Sequence, residues 1–320
     1  MANLRQRLSN RYVVAFALAV IVFILGRLLV NGFGSEFGFR AMLVLTALLG
    51  IASVGQSLVV LIGGIDLSIP FLMGFANVVA AELNGQGVPF GYVVLIVLGM
   101  AALIGAFNGA LASRLKIHPL IVTLGVGTVV QGSVLLWTAG FPSGRAPQYI
   151  TDMVSLGATT GPLPFPPIVP IFIAIGLLIS LMLDRTMLGR TMYALGSSPE
   201  AARLALVRPV RVWAITFAIS AVFAAIAGIL LVGFTGSAYA YVGSPYLFQT
   251  IAAVVIGGTS LQGGRGSYFG TMVGAFVLIE LNTVLIGLGF TQALIQAALG
   301  ILIVALVSLY GREPHVRNRI

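Results

Sequence analysis

The sequence predicts an all-α polytopic membrane protein, and its composition and its long apolar runs are the observations that predict it. Of the 320 residues, 59% are hydrophobic and only 8% are charged, and the mean hydropathy is +1.08. Soluble domains carry about 25% charged residues, so this composition cannot cover a water-soluble surface. Apolar runs long enough to cross about 30 Å of hydrocarbon recur along the chain. The 40 glycines are typical of closely packed membrane helices.

We predict about ten transmembrane segments, two of them short broken helices, in a single transmembrane domain over 1–320. The start of the chain resembles a signal peptide, but its apolar run continues to Val30, which predicts a retained first helix. In order, the segments lie near 12–32, 41–62, 69–83, 90–112, 119–139, 168–183, 212–235, 249–262, 268–287 and 291–309.

The basic residues favour an orientation with both termini in the cytoplasm. In that orientation all but three of the 17 basic residues fall on inside stretches, as the positive-inside rule requires. The exceptions are Arg40 and Arg145, which fall outside, and Arg27 near the outer end of the first segment. The net charge of +9 therefore reflects membrane topology, and no nucleic-acid partner is expected.

Two stretches between the segments are long enough to form structure outside the membrane. Residues 140–167 are predicted outside, either as an ordered surface loop or as a docking surface for an external partner. Residues 184–211 are predicted inside, with a short helix near 199–206 that Ser197 or Ser198 caps. That helix either lies on membrane lipid or inserts into a groove of a cytosolic protein, and its pattern alone does not choose.

The third and eighth segments are too short for a straight crossing, and each adjoins a glycine break. The breaks are alike in sequence, "VVLIGGIDLS" at 59–68 and "AVVIGGTSLQ" at 253–262, and the segment count places both on the same side. Short, glycine-interrupted segments in corresponding halves indicate the central site of a transporter. Whether the repeat is parallel or inverted stays open. The residues of the two motifs are Gly63, Gly64, Asp66, Ser68, Gly257, Gly258, Gly263, Gly264 and Gly266.

Asp66 is a carboxylate in an otherwise apolar part of the chain, and two interpretations compete. It either caps the helix that follows, together with Ser68 and with Pro70 in the first turn, or binds an ion or the transported solute. The cap is favoured because the segment count places Asp66 near the inner membrane boundary rather than at the midplane.

Uncharged polar side chains within the segments are the candidates for lining a pathway. Amides both donate and accept hydrogen bonds and suit a neutral polyol, although they also suit bonds between neighbouring helices. The candidates are Gln56, Asn77, Asn108, Gln131, Trp137, Gln249, Asn282 and Gln296.

Several site types are missing from the sequence. The chain has no cysteine, and His118 and His315 are far apart in sequence, so we expect neither a metal site nor an enzyme's catalytic cluster. No GxxxxGK[ST] motif is present, so no nucleotide-binding site and no cofactor are expected in this chain. Energy for transport must then come from a partner or from an ion gradient.

Three stretches resemble the signatures of one known family. "GGIDLSI" (63–69), "GRTMYALGSSPEAARL" (189–204) and "IAAVVIGGTSLQGGRGSYFGTMVGA" (251–275) are similar to the membrane permease subunits of bacterial ABC importers of the ribose/galactose/arabinose type. The resemblance implies a bacterial inner-membrane protein that works with a second permease subunit (the same or a different chain), a cytosolic ATPase that uses ATP, and a periplasmic substrate-binding protein.

The resemblance also favours the groove-inserting interpretation of the inside helix. It implies that this helix couples the chain to the ATPase through Pro199, Glu200, Ala201, Ala202, Arg203, Ala205 and Arg208. The chain departs from the family pattern at Leu247 and Gln249, where relatives usually carry acids, so the transported sugar or sugar-like solute stays open. The alternative is an ion-coupled secondary transporter of a small neutral solute, although the segments lack the acid–base pairs such a carrier often uses.

Overall fold

The protein is a helical bundle, seen here in a computed structural model that describes residues 2–310 and the side chains of residues 14–301. Every regular element in that part of the chain is an α-helix. The helices are α1 (Ala2–Leu29), α2 (Glu36–Leu61), α3 (Ile69–Gly85), α4 (Phe90–Leu115), α5 (Pro119–Trp137), α6 (Gln148–Val154), α7 (Ile168–Arg185), α8 (Met187–Ser197), α9 (Pro199–Leu204), α10 (Pro209–Thr235), α11 (Tyr246–Ile256), α12 (Tyr268–Gly287) and α13 (Gln292–Tyr310).

Each of the ten predicted segments coincides with one of these helices for most of its length. Among the described residues, six helices are long and apolar enough to cross a membrane, namely α2, α4, α5, α7, α10 and α12. The predicted count of ten crossings therefore goes beyond what helix length establishes. The predicted position of the C-terminus, with Arg312, His315, Arg317 and Arg319, lies outside the described residues, as do the side chains of Arg5, Arg7 and Arg11.

The centre of the bundle is α2, whose residues from Thr46 to Leu61 are all buried. It packs against α7, α10, α11 and α12, and α10 in turn packs against α3 and α4. An apolar helix that is covered on all sides is a core element rather than a lipid-facing one. The two glycine breaks adjoin this core, because the first follows the end of α2 and the second joins its neighbours α11 and α12.

The contact between α4 and α10 depends on two glycines of α4. A side chain at Gly105 would collide with the carbonyl oxygen of Phe217, and one at Gly109 with the carbonyl of Trp213. Both glycines therefore let the two backbones approach closely, as small residues do throughout membrane-helix interfaces. Asn108, on the same face of α4, is brought against the core by this close approach.

Gly105→Leu is expected to separate α4 from α10 and to lower the free energy of unfolding by about 1–3 kcal/mol, because packed interfaces tolerate added volume poorly. The matched control is Gly99→Leu in the same helix, where the glycine is exposed and has no neighbouring atom within 4 Å. Thermal unfolding of the purified proteins in one detergent measures the difference. Equal unfolding temperatures for the two variants would contradict this packing.

Two stretches cross part of the bundle without helical structure. After α2, residues 62–68 lead to α3. Within them Asp66 contacts Ser220, which lies about 16 Å along α10 from the first residue of that helix. After α10, residues 236–245 run along α3 until Gly243 packs against the carbonyl of Pro70, and α11 follows. The helices of the third and eighth segments, α3 with 17 residues and α11 with 11, are thus each preceded by a non-helical stretch packed against the bundle.

Asp66 is buried inside the bundle. Ser220, its partner, packs against Gly55 of α2, and Gly55 is about 9 Å along the helix from Leu61. Residues 62–68 therefore fold back into the bundle, while the position of Asp66 near the inner membrane boundary stays a prediction.

Candidate functional site

The two glycine breaks lie side by side. The amide of Gly264 donates a hydrogen bond of 2.8 Å to the carbonyl of Leu61, the last residue of α2. A side chain at Gly263 would lie 2.8 Å from the amide nitrogen of Gly63. Gly63 and Gly263 both have a φ of about +83°, which is the left-handed region that glycine adopts without strain. The two breaks thus meet at one end of the bundle, although the aligned glycines of the two motifs differ in conformation, since Gly257, which corresponds to Gly63, has a φ of −66°.

The end of α8 packs onto both breaks. A side chain at Gly196 would collide with the Leu61 carbonyl and with the Gly264 amide, so α8 contacts the hydrogen bond that joins the breaks. One turn earlier, the Tyr193 hydroxyl donates to the carbonyl of Gly266 over 2.8 Å. We call Leu61, Gly63, Gly196, Gly263 and Gly264 the break junction.

Helix α9 projects away from the break junction. Ser198 begins it by accepting a hydrogen bond of 3.3 Å from the Ala201 amide, and Pro199 occupies the first turn. The helix ends at Leu204, earlier than predicted, because the amides of Ala205 and Val207 bond back into the helix and close its last turn.

The predicted contact residues of α9 divide between two faces. Ala202 is buried against the bundle, so it holds the helix in place rather than facing a partner. The other predicted residues are exposed, namely Pro199, Glu200, Ala201, Arg203, Ala205 and Arg208. Beside them Leu204 and Leu206 are 83% and 88% exposed and form an apolar tip.

Leu206 combines this exposure with an unfavourable backbone conformation. Its φ is +60°, which costs a residue with a Cβ atom about 1–2 kcal/mol and is usually left to glycine at the end of a helix. An exposed leucine gains nothing from the protein itself that offsets this cost. Strain of this kind is typical of positions that serve a function.

Asp66 is the centre of a buried hydrogen-bond network. Its Oδ1 accepts from the Ser68 amide over 2.8 Å and from the Ser68 hydroxyl over 2.5 Å, while its Oδ2 accepts from the Ser220 hydroxyl over 2.6 Å. Asn108 Nδ2 donates to the Ser68 hydroxyl over 3.2 Å. Ser68 is the residue that precedes α3, with Pro70 in the first turn. Asp66 therefore holds Ser68 in place and ties the start of α3 to α4 and α10, but neither Asp66 nor Ser68 accepts a hydrogen bond from a first-turn amide of α3, so the predicted helix cap is not formed.

The predicted pathway residues do not converge on one cavity. Asn77 and Gln131 both hold residues 236–245, and Asn108 belongs to the Asp66 network. Gln249 and Asn282 are buried, as is Gln56, whose amide atoms have no hydrogen-bond partner in the described part of the chain. Trp137 and Gln296 are exposed on α5 and α13.

A separate cavity of about 450 Å³ lies between α1, α2, α7 and α12. Its lining is apolar except for Thr46 and Glu280, and the carboxylate of Glu280 has no hydrogen-bond partner among the described residues. A polyol needs several donors and acceptors, so this cavity does not suit one. Residues 236–245, "GSAYAYVGSP", lie between two predicted segments and were not among the predicted site residues. Their glycines, serines and paired tyrosines at the mouth of a short segment were the available signal.

Comparison with known proteins decides the class of transporter. A model of the family described as branched-chain amino acid transport system / permease component matches residues 38–307. The chain belongs to this permease family. Its members are transport subunits rather than enzymes, and the resemblance seen in the three signature stretches is confirmed. An ion-coupled secondary transporter is not favoured.

Individual relatives place the permease among solute importers. It is 34% identical to a ribose import permease protein of Escherichia coli, in an alignment of 293 residues that covers 91% of each chain. It is 33% identical over 301 residues to a fructose import permease protein of Rhizobium meliloti, which covers 92% of this chain and 83% of the relative. An autoinducer 2 import system permease protein of Photorhabdus luminescens is 30% identical over 83% of this chain. No solved structure matches the permease.

Proposed function

We propose that the chain forms the translocation pathway of an ABC importer for a sugar or sugar-like solute. A periplasmic binding protein delivers the solute, and a separate cytosolic ATPase supplies the energy from ATP. The relatives that import ribose and fructose support the solute class. The observation that carries the proposal is the break junction, because it joins an exposed helix to both broken crossings.

The break junction supports a mechanism of coupling. The ATPase would bind the tip of α9, and α9 is continuous with α8 through Ser198. Any shift of α8 moves Gly196, which has no free space against Leu61 and Gly264. Close-packed contacts transmit displacement rather than absorbing it. Movement at α9 thus reaches residues 62–68 and α3 on one side and α11 on the other.

The orientation we propose is that of an inner-membrane protein with the break junction and α9 in the cytoplasm. The α9 end of the bundle carries most of the described basic residues, as expected on a cytoplasmic face. They are Arg114, Lys116, Arg185, Arg190, Arg203, Arg208, Arg211 and Arg265. At the opposite end Arg40 is paired with Glu36 over 2.7 Å. Residues 140–167 then face the periplasm, where the binding protein docks.

The importer contains a second permease subunit, either another copy of this chain or a different one. The exposed faces of α5 and α13, with Gln131 half-buried on α5 and Gln296 exposed on α13, provide polar groups at the edge of the bundle. A pathway formed between two permease subunits explains why the predicted polar residues do not meet inside a single subunit.

Reconstitution tests the proposal. Proteoliposomes that contain the permease with its ATPase and binding protein are expected to accumulate ribose or fructose only when ATP is supplied. Omission of either partner is the control, and radiolabelled sugar inside the vesicles is the measurement. Sugar uptake driven by an ion gradient in vesicles that contain this chain alone would contradict the proposal.

A further inference from the structure

Residues 236–245 pass through the interior of the bundle as non-helical chain. The amide of Tyr239 donates to Asn77 Oδ1 over 2.8 Å, and Asn77 Nδ2 donates to the carbonyl of Gly228 over 3.3 Å. Along the helix axes, Asn77 lies about 12 Å from the end of α3 at Gly85, and Gly228 lies about 10 Å from the end of α10. At Tyr239 the chain therefore already lies about 10–12 Å inside the ends of α3 and α10.

The following residues lie deeper still. The carbonyl of Ala240 packs against Gly74, and Gly243 packs against the carbonyl of Pro70, about 22 Å along α3 from its far end. Gln131 of α5 donates to the Ala240 carbonyl over 3.4 Å. Residues 236–245 are thus held along α3 from Asn77 to Pro70, and α5 adds a contact through Gln131.

The remaining side of residues 236–245 is open. Ser237, Tyr239, Tyr241 and Ser244 are exposed, whereas Ala240 and Gly243 are buried against α3. Non-helical backbone at membrane depth does not face lipid, because its polar groups have no partners there, and it occurs only inside protein or along a water-filled cavity. The open side therefore faces an aqueous pathway or another protein surface.

Two aromatic rings dominate that open side. Tyr239 and Tyr241 are 55% and 44% exposed, and their ring centroids are 5.9 Å apart with the rings inclined by 52°. We propose that this pair binds the monosaccharide ring as it passes through the translocation pathway, an inference that rests on the proposed function.

The chemistry of the pair suits a sugar. A monosaccharide has faces of C–H groups that pack on aromatic rings, and hydroxyls at its rim that exchange hydrogen bonds with tyrosine hydroxyls, which both donate and accept. The half-helices α3 and α11 begin at the same depth, beside the contact of Gly243 with Pro70, and direct their positive ends there. The positive electrostatic potential at the starts of these two helices favours hydroxyl oxygens over cations. An open pair of rings holds the solute weakly, as a pathway requires.

Water access is the first test, because the chain contains no cysteine and each introduced thiol is then unique. In the importer assembled with its ATPase and binding protein, Tyr239→Cys and Tyr241→Cys are expected to react with a charged methanethiosulfonate reagent at least tenfold faster than Leu103→Cys, because thiolates form only where water reaches. Leu103 is an exposed control in the middle of α4. Ribose or fructose should slow the reaction at both tyrosine positions. Reaction as slow as at Leu103→Cys, or no slowing by either sugar at both positions, overturns the proposed sugar binding by the tyrosine pair.

Transport is the second test. Tyr239→Ala and Tyr241→Ala are each expected to lower ribose or fructose uptake about tenfold, the loss for one aromatic contact, while ATP hydrolysis stimulated by the binding protein is retained. Phenylalanine at either position should restore part of the uptake. Tyr92→Ala, an exposed tyrosine of α4, is the control that leaves uptake unchanged.

The two proposals fail in distinguishable ways. Unchanged uptake in both alanine variants overturns the proposed sugar binding by Tyr239 and Tyr241, while the proposed importer function stands. An assembled wild-type importer that takes up no sugar from a panel of pentoses and hexoses overturns the proposed solute class, and with it the proposed sugar binding by Tyr239 and Tyr241, even where the thiols at 239 and 241 prove accessible.

Discussion

Leu206→Gly is expected to weaken ATPase binding while leaving the permease folded. Glycine adopts the φ of +60° without strain and so recovers about 1–2 kcal/mol, which roughly offsets the entropy that glycine adds to the unfolded chain. The variant loses an exposed leucine whose burial in a partner contributes about 1.5–3 kcal/mol, so the dissociation constant should rise about tenfold to a hundredfold. Binding of the purified ATPase to permease in nanodiscs and ATP-dependent uptake are the measurements.

Ala201→Trp and Ala205→Trp test the same surface by adding bulk. Both alanines are exposed on α9, so the bundle should fold normally while the large ring blocks the approach of the ATPase. Met187→Ala is the matched control, since Met187 is a 75% exposed apolar residue at the same end of the bundle but outside α9. If the two tryptophan variants and Leu206→Gly all bind the ATPase and transport normally, α9 is not the coupling element.

The helices were largely predictable from the sequence, but their surroundings were not. The runs that became α2 and α4 have similar mean hydropathies of 2.1 and 2.4. In the structure 89% of the apolar window of α2 is buried, against 28% of that of α4. An apolar side chain is about equally stable in contact with lipid and in a protein core. Hydropathy therefore identifies a membrane helix but does not show which of its faces pack against protein. That information lies in tertiary contacts such as those at Gly105 and Gly109.

The candidate site was predictable only in its local parts. The two glycine motifs and the capping role of Ser198 are local patterns, and the structure contains the turns and the cap that they predict. The break junction requires Gly196 to meet two residues far away in sequence, and no local pattern indicates such a contact. The placement of residues 236–245 was not predictable for the same reason, because Asn77, which holds the Tyr239 amide, is 162 residues away in sequence.

Asp66→Leu is expected to cost most of the folded protein. The Ser68 amide, the Ser68 hydroxyl and the Ser220 hydroxyl would each lose an acceptor inside the bundle. A buried donor without a partner costs about 1–3 kcal/mol, so the total is a large part of a typical stability of about 5–15 kcal/mol. The amount of monodisperse protein extracted from membranes and its unfolding temperature measure the loss. Asp184→Leu, at an exposed carboxylate, is the matched control and should behave as wild type.

Asp66→Asn separates the two roles that the sequence allowed for this carboxylate. The amide oxygen still accepts both bonds from Ser68, and the amide nitrogen donates to the Ser220 hydroxyl, which accepts as readily as it donates. The variant should therefore fold, bind the ATPase and retain much of its sugar uptake, because the start of α3 needs the hydrogen bonds and not the charge. A folded Asp66→Asn permease that binds its partners but transports nothing would show that the solute or an ion needs the negative charge, and the hydrogen bonds to Ser68 and Ser220 would then not be the whole role of Asp66.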